Sequence, residues 1–450
     1  MDNVLLVTID SLRADHVGYH GYERDVTPNI DRLAGEGSRF MNAHAHAGST
    51  QYSFHSILTG VTPFMYGGHN RVTEGQTLLS EVFRDAGYAT GAFHCNLYVS
   101  EEFGYNRGWD EFFDSAPDES STTKLRKWAK QNLDGKLLNV LKKGYDYLES
   151  SQGLNVGSYH VPADEMVDRA IEFIEAEDGP TFVWLHFMDV HHPFLPPEEY
   201  QREFRGEDEL VSDRESVKLR RKFVEEPENV TDEEHQQFID LYDAEIKFTD
   251  AEIGRLMETV DREWGEEYLM ALTADHGDHF LDHGYFGGAH RRDVKTHVPL
   301  FVRGWDDDGE YDELVGLTDL PVTLADASGL EVPENFYGTS LRRLVFDGEW
   351  DREAVFGGWR GNDDEKHDHV RTDEWNLLVD TGQPDQLFDL STPMADRENV
   401  IDDHPDVVAD LREMLDEHRD VVEATRTDDV ERPDMNEEVK ERLRRLGYDE

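Results

Sequence analysis

Three acidic residues and one hydroxyl open the chemical reading of the 450-residue chain. Asp10 closes the apolar run "NVLLVTID", Asp189 lies near the end of "TFVWLHFMDV", and Asp275 closes "EYLMALTAD" with His276 and Gly277 directly after it. An adjacent Asp-His pair at a turn offers two metal ligands where the chain leaves an element. In isolation such a pair also fits an Asp helix cap beside a surface histidine; Asp10 and Thr50 together tip the balance. A divalent cation held by two carboxylates and an imidazole lowers the pKa of a coordinated hydroxyl and presents it as a nucleophile. Thr50, which starts "TQYSFHSILTG", supplies such a hydroxyl. Threonine is equally a helix N-cap, here ahead of the apolar Phe54, Ile57 and Leu58. The two roles are compatible, because a helix N-terminus offers N–H groups to an anion. Five histidines, His276, His279, His283, His290 and His297, crowd the segment after Asp275. Of these, His279, His283 and His297 read as surface or loop residues, and Trp184, Phe187 and Trp305 as core or crevice walls.

The elements that must position these groups follow from periodicity. "NVLLVTID" is a continuous β-branched and leucine run of strand length, as buried parallel strands are. "TPNIDRLAGEGSRF" begins with a proline-assisted helix start and meets a glycine stop. "TLLSEVFRDAG" then reads as a helix before the strand "YATGAFHC", "EMVDRAIEFIEA" as a helix before "TFVWLHFMDV", and "YDAEIKFTDAEIGRLMETV" as a helix before "EYLMALTAD". This alternation predicts an α/β domain in which the carboxyl ends of the strands line the ligand crevice. Helical insertions are expected at about 116–160 and 198–235. The catalytic domain is expected over 1–337. A small α+β subdomain with an acidic helical tail follows over 338–450, its strand-like pieces being "AVFGGWRG", "HVRTDEWNLLVD" and "QLFDL".

Composition narrows the partners. With 99 Asp and Glu against 44 Lys and Arg, the formal charge is −55, spread along the chain. That balance suits a halophilic or salt-accumulating source, where screening shortens the Debye length to about 3 Å at 1 M. No basic patch is present to hold a phosphate backbone, so nucleic acid is not expected as a partner. The single cysteine, Cys95, rules out an intramolecular disulfide. No run reaches the roughly 18–20 apolar residues of a membrane helix, and the start lacks the pattern of a secretory leader. A cytoplasmic protein is therefore expected, and its oligomeric state stays open.

At the level of motifs the chain resembles the sulfatase family of the alkaline phosphatase superfamily. The stretches that carry the likeness are "NVLLVTIDSLRADHVGYHGY", "TPNIDRLAGEGSRFMNAHA", "TQYSFHSILTG", "GYNRGWDEFFD", "FVWLHFMDVHHPFLPP", "TADHGDHFLDHG", "HVPLFV", "TDLPVTLADASGL" and "QLFDLSTPMADRENV". They fall in the family's order between about residues 3 and 400. The resemblance implies an alkaline-phosphatase-like sandwich: a large mixed, mainly parallel central sheet flanked by helices. It implies one divalent metal cation, Ca2+ by likeness with Mn2+ or Zn2+ as alternatives, on Asp10, Thr50, Asp275 and His276. Thr50 takes the nucleophile's place, with Arg13, His191 and His290 as catalytic groups, and Asn96, His191 and His290 beside the substrate. A second metal, as in phosphodiesterase relatives, would need Asp189, His191 and His290; Asp189 reads better as a residue that positions its loop.

Departures from the family pattern bear on the reaction. Where sulfatases begin with two adjacent aspartates, the second is Ser11 here, and the usual Lys and His after "GYATGAF" are missing. The family nucleophile is a Cys or Ser oxidised to formylglycine within a motif that contains Pro and Arg. Here Thr50 is followed by Gln51, Tyr52, Ser53 and Phe54, so no formylglycine is expected. A hydrated aldehyde releases sulfate by elimination; threonine has no such route. A phosphothreonine can be opened by water or passed to an alcohol. The expected activity is metal-dependent hydrolysis of a small-molecule or glycan sulfate or phosphate ester, with phosphate mono- or diesters favoured. The alternatives are a phosphotransferase or a non-catalytic sulfatase-like binding protein.

Overall fold

The computed structural model describes residues 3–69, 71–114, 160–206, 209–361, 365–391 and 395–426. The insertion expected at 116–160 and the tail beyond 426 fall almost wholly outside the described residues. Among the described residues nine strands run through the first part of the chain: β1 Val4–Ile9, β2 Gly37–Phe40, β3 Ala43–His44, β4 Ala89–Phe93, β5 Glu111–Phe113, β6 Thr181–Phe187, β7 Leu269–Ala274, β8 Leu300–Arg303 and β9 Glu310–Tyr311. All but β3 join one sheet in the order β5-β4-β6-β1-β7-β8-β2-β9. From β5 to β7 the neighbours are parallel, and β8 is antiparallel to both β7 and β2. Every residue of β1, β6 and β7 is buried, which explains their uninterrupted apolar runs: helices cover both faces, so neither face can be polar.

Among the described residues the helices are α1 Pro28–Ala34, α2 Thr50–Thr59, α3 Leu79–Asp85, α4 Ala163–Ala176, α5 Glu198–Arg205, α6 Asp213–Glu225, α7 Asp232–Trp264, α8 Asp293–Thr296, α9 Asp319–Ala327 and α10 Pro405–Ala424. The long α7 starts at a capping box in which Thr231 accepts from the Glu234 N–H. It packs on α1, α4, α5 and α6. Residues 198–235 carry α5, α6 and the first turn of α7.

The fold is the expected mixed, mainly parallel sandwich with a small C-terminal sheet. That sheet comprises β11 Val355–Arg360, β12 Lys366–Arg371, β13 Trp375–Asp380 and β14 Gln386–Asp389, antiparallel throughout, while β10 Val315–Gly316 pairs with β3. "HVRTDEWNLLVD", expected as one strand-like piece, is a hairpin: the Thr372 N–H donates to the Trp375 carbonyl at 2.8 Å and the chain turns over Asp373-Glu374. Leu411 and Leu415 of α10 close a separate small core with Val370, Leu377 and Leu387. Gly357 and Gly358 let this sheet touch the catalytic region. A Cβ on Gly357 would stand 1.7 Å from the His46 carbonyl oxygen, and the Gly358 N–H donates to that same oxygen at 2.9 Å. Among the described residues no helix is long and apolar enough to cross a membrane.

Candidate functional site

Sheet register brings the acids together. Ile9 of β1 lies opposite Phe187 of β6 and Ala274 of β7, so Asp10 and Asp275 leave adjacent parallel strands at the same level. The Asp10 N–H continues the ladder to the Phe187 carbonyl at 2.9 Å. Ser11 then turns with φ of 59°, a left-handed conformation that is uncommon outside glycine. The turn aims its N–H at Asp275 Oδ1 (3.1 Å) and its hydroxyl at Asp10 Oδ1 (2.8 Å). Ser11 therefore ties the two carboxylates where the family has a third. The His276 N–H also donates to Asp275 Oδ1, and its Nδ1 lies 2.8 Å from the Gly277 carbonyl. A carbonyl only accepts, so Nδ1 carries the hydrogen and Nε2 presents a lone pair.

Thr50 stands at the focus. Its Oγ1 donates to Asp275 Oδ2 at 2.8 Å, and it lies 3.3 Å from Asp10 Oδ2 and 3.4 Å from His276 Nε2. Ser49, rather than Thr50, is the N-cap residue of α2; its carbonyl accepts from Tyr52 and Ser53. Relieved of capping, the Thr50 side chain is free to face the acids. The Ser49 hydroxyl is buried with no hydrogen-bond partner among the described residues. It lies beside the first N–H groups of the helix, a donor-rich place for an anion. Ser53 fastens α2 to the sheet by donating to the Asp275 carbonyl. Gly48 permits the approach of the preceding loop, since a Cβ there would meet the His290 carbonyl oxygen at 2.1 Å.

Asp10 and Asp275 are both fully buried. Burial works to raise the Asp10 pKa, yet His191, His186 and His276 together hold it well below the carboxylate range. Burial, and then the charge of Asp10, pushes Asp275 well above that range. Asn96 steadies Asp10 by donating from Nδ2 to Oδ2 at 2.9 Å. Burying two carboxylates around one hydroxyl is costly unless a cation offsets them. One ligand atom from each of Asp10, Asp275 and His276 falls within 4.8 Å of the others. Two hard oxygens and an imidazole lone pair in that space fit a divalent cation.

Other expected groups are distributed around this focus. His191 is buried, its ring 4.5 Å from that of His192, and burial lowers its pKa although Asp10 and Asp278 oppose the shift. His290 stacks on Tyr285 at 4.0 Å, and burial brings its pKa down to about 4. Arg13 is engaged elsewhere: Asp15 takes Nε and one terminal nitrogen, and Asp282 and the Asp278 carbonyl take the rest. The guanidinium thereby braces the loop after Asp275. Asp189 accepts from the Ala163 N–H at 3.0 Å and so starts α4. His279, expected on the surface or in a loop, is in a loop but wholly buried. His283 pairs with Asp396 at 2.8 Å, and His297 with the Met41 carbonyl at 2.8 Å.

Sequence reasoning missed His186, Lys295, Asp278 and the role of Ser49. His186 sits one residue before the end of β6 with Nε2 3.5 Å from Asp10 Oδ2; its only signal was an imidazole in an otherwise apolar strand. Lys295 is 3% exposed and its Nζ meets Asp278 Oδ1 at 3.1 Å.

Acids, imidazole and helix-borne hydroxyl thus meet at the carboxyl edge of a mainly parallel sheet. The sequence model of the sulfatase family matches residues 2–330, and the chain belongs to that family. It is 26% identical over 441 residues to an arylsulfatase of Clostridium perfringens, covering 89% of this chain and 90% of the relative. It is likewise 26% identical over 334 residues to human iduronate 2-sulfatase, covering 66% and 58%. Among solved structures it is similar in fold to the phosphonate monoester hydrolase of Agrobacterium radiobacter, with a TM-score of 0.70, 18% identity and coverage of 94% and 96%. A protein solved with D-glucosamine-2-N,6-O-disulfate as its substrate gives a TM-score of 0.71 at 18% identity, covering 94% and 98%.

Proposed function

We propose that this sulfatase-family hydrolase cleaves phosphate esters, with Thr50 as the nucleophile. The observation that carries the reading is the Thr50 hydroxyl donating to Asp275 Oδ2 at 2.8 Å while also facing Asp10 and His276. Asp10, Asp275 and His276 would hold one divalent cation. When bound, that cation supplies Lewis acidity, offsets the two carboxylates and lowers the pKa of the nearby hydroxyl.

The chain's own groups then carry the proton and the charge. Thr50 Oγ1 forms a bond to phosphorus and its proton passes to Asp275 Oδ2, to which it already donates at 2.8 Å. The bond from phosphorus to the leaving oxygen breaks; that oxygen keeps the electron pair and takes a proton from solvent. The Ser49 hydroxyl and the first N–H groups of α2 receive the non-bridging oxygens. Water then attacks the phosphothreonine and loses one proton to solvent, while Asp275 returns its proton to Thr50. A sulfated threonine lacks the second hydroxyl through which a hydrated aldehyde expels sulfate, which is why phosphorus is preferred to sulfur.

Thr50→Ala should bind metal nearly as the parent does and lose turnover by about 10³-fold or more, whereas Thr50→Ser should keep substantial activity. Intact-protein mass spectrometry after a substrate chase should find a phosphate-sized adduct that Thr50→Ala lacks. Full activity in Thr50→Ala would overturn the covalent mechanism.

A further inference from the structure

We propose that Thr8 and His186 form a buried donor chain that orients the Asp10 carboxylate for its cation: the Thr8 hydroxyl donates to His186 Nδ1, and His186 presents Nε2–H to Asp10 Oδ2. Both are positioning residues. The inference rests on the reading of Asp10, Asp275 and His276 as a cation site and adds the groups that hold one of its ligands in place.

Sheet register sets the chain. Thr8 of β1 lies opposite His186 of β6, and side chains two residues apart share a face of a strand. Asp10 therefore follows Thr8 on one side, and His186 follows Trp184. All four are wholly buried. Trp184 Nε1 donates to Thr8 Oγ1 at 3.0 Å. The same oxygen lies 3.0 Å from His186 Nδ1 and 3.2 Å from the Leu185 carbonyl oxygen. His186 Nε2 makes no hydrogen bond to any other described residue and stands 3.5 Å from Asp10 Oδ2. A buried ring nitrogen without a partner is costly, so the contact with Asp10 explains why a histidine is kept in this apolar strand.

The donor and acceptor roles follow from what each group is able to do. A carboxylate only accepts, which puts the hydrogen of a neutral His186 ring on Nε2. Nδ1 is then an acceptor, and Thr8 is its hydrogen-bond partner among the described residues. The Trp184 N–H takes a lone pair of Thr8 Oγ1 and so turns the hydroxyl hydrogen away from the indole; of its two acceptors, the ring nitrogen is the closer.

On Asp10 itself, Ser11 Oγ donates to Oδ1 at 2.8 Å and Asn96 Nδ2 to Oδ2 at 2.9 Å. His186 approaches Oδ2 from a third element, so the carboxylate is held from three directions. The same rings support the nucleophile. Phe54, one turn beyond Thr50 on α2, meets His186 edge-on at 4.9 Å and Trp184 at 5.5 Å. Losing a partner that orients a metal ligand typically weakens the metal by about 10- to 100-fold.

The test begins with the metal-free full chain. Heteronuclear NMR of its histidine side chains should show His186 as the neutral Nε2–H tautomer. An Nδ1–H tautomer, which turns a lone pair toward Asp10, or a doubly protonated ring overturns the chain. Calorimetric titration with Mn2+ should show Thr8→Val binding about 10- to 100-fold more weakly than the parent, and Thr8→Ser, which keeps the hydroxyl, recovering to within threefold. His186→Leu should lose at least as much as Thr8→Val. Because Thr8 acts through His186, the double variant Thr8→Val, His186→Leu should bind no more weakly than His186→Leu alone. Additive losses, or a His186→Leu affinity within threefold of the parent, overturn the proposal. The two readings fail separately: a parent that binds no Mn2+ removes the cation site and the proposal with it, whereas a parent that binds Mn2+ with an affinity indifferent to His186 removes only the positioning role.

Discussion

The catalytic focus and the seam beneath the C-terminal sheet both bury polar groups, and they do so by opposite means. At the focus, Asp10, Asp275 and Thr50 converge on one another, and with His276 the two carboxylates form a cluster that could hold a cation. At the seam, His44, His46, His369 and His418 are buried as neutral rings. His46 Nδ1 meets the Phe356 carbonyl at 2.6 Å, His418 stacks on Phe356 at 4.5 Å and 8°, and both ring nitrogens of His369 are without a hydrogen-bond partner among the described residues. Burial lowers the pKa of all four. A fold tolerates buried polarity either by neutralising it or by reserving it for a ligand, and only the second arrangement performs chemistry.

The sharpest way to break the comparison is to delete a carboxylate. Asp275→Ala should abolish metal retention and lower turnover by about 10³-fold or more, read by elemental analysis and kcat. His369→Leu, at the seam, should leave both within threefold. A large loss of activity in His369→Leu would mean that the seam is coupled to the chemistry.

Acid should act on the seam next. His418 has its pKa lowered by burial to about 4, so the unfolded chain, near 6.5, takes up the proton first. Stability is then unaffected above about pH 6.5 and falls as the pH drops toward 4, by on the order of 3 kcal/mol from this group alone. Chemical denaturation of the parent and His418→Leu between pH 7 and 4 should show a shallower fall in the variant. Equal slopes would show that the ring is not held neutral.

A smaller effect is expected where backbone packing, rather than charge, sets the geometry. Gly48→Ala would place a methyl 2.1 Å from the His290 carbonyl oxygen, so the loop before Thr50 must shift. Turnover should fall by about 10- to 100-fold, with a stability loss of about 1–3 kcal/mol and metal content unchanged. Loss of metal in this variant would mean that the loop also shapes the cation site.

How much of this was legible depends on the range over which each feature is encoded. Buried parallel strands are continuous apolar runs, so β1, β6 and β7 could be read directly, and Asp10 and Asp275 stood out as the first charges after them. Thr50 was legible as the start of a helix, although the cap itself fell one residue earlier, at Ser49. Lys295 was not, because a lysine in a short polar helix looks like a solvated face until the fold brings Asp278 against it. His186 was missed for the same reason: its partner Asp10 comes from another strand. Arg13 carried a local warning in "RAD", since Asp15, two residues on, occupies its guanidinium. The hairpin at 366–380 was missed because its turn, Asp373-Glu374, is as acidic as the rest of the surface.

Salt should separate surface from interior with the smallest effect of all. The excess of 99 acids over 44 bases lies mostly on the outside, where repulsion is screened as the Debye length falls from about 10 Å at 0.1 M to about 3 Å at 1 M. Against this, exposed i,i+4 pairs such as Glu165–Arg169, Glu198–Arg202 and Arg221–Glu225 weaken by at most about 0.3–0.5 kcal/mol each. Repulsion is the larger sum, so the melting temperature should rise by roughly 2–5 °C across that range. The acid transition assigned to His418 should stay at the same pH, because buried groups are screened far less than exposed ones. A melting temperature that is flat or falling in salt would contradict the halophilic reading of the composition. A transition that moves with salt would place the seam histidines in contact with solvent and erase the distinction between the two buried regions.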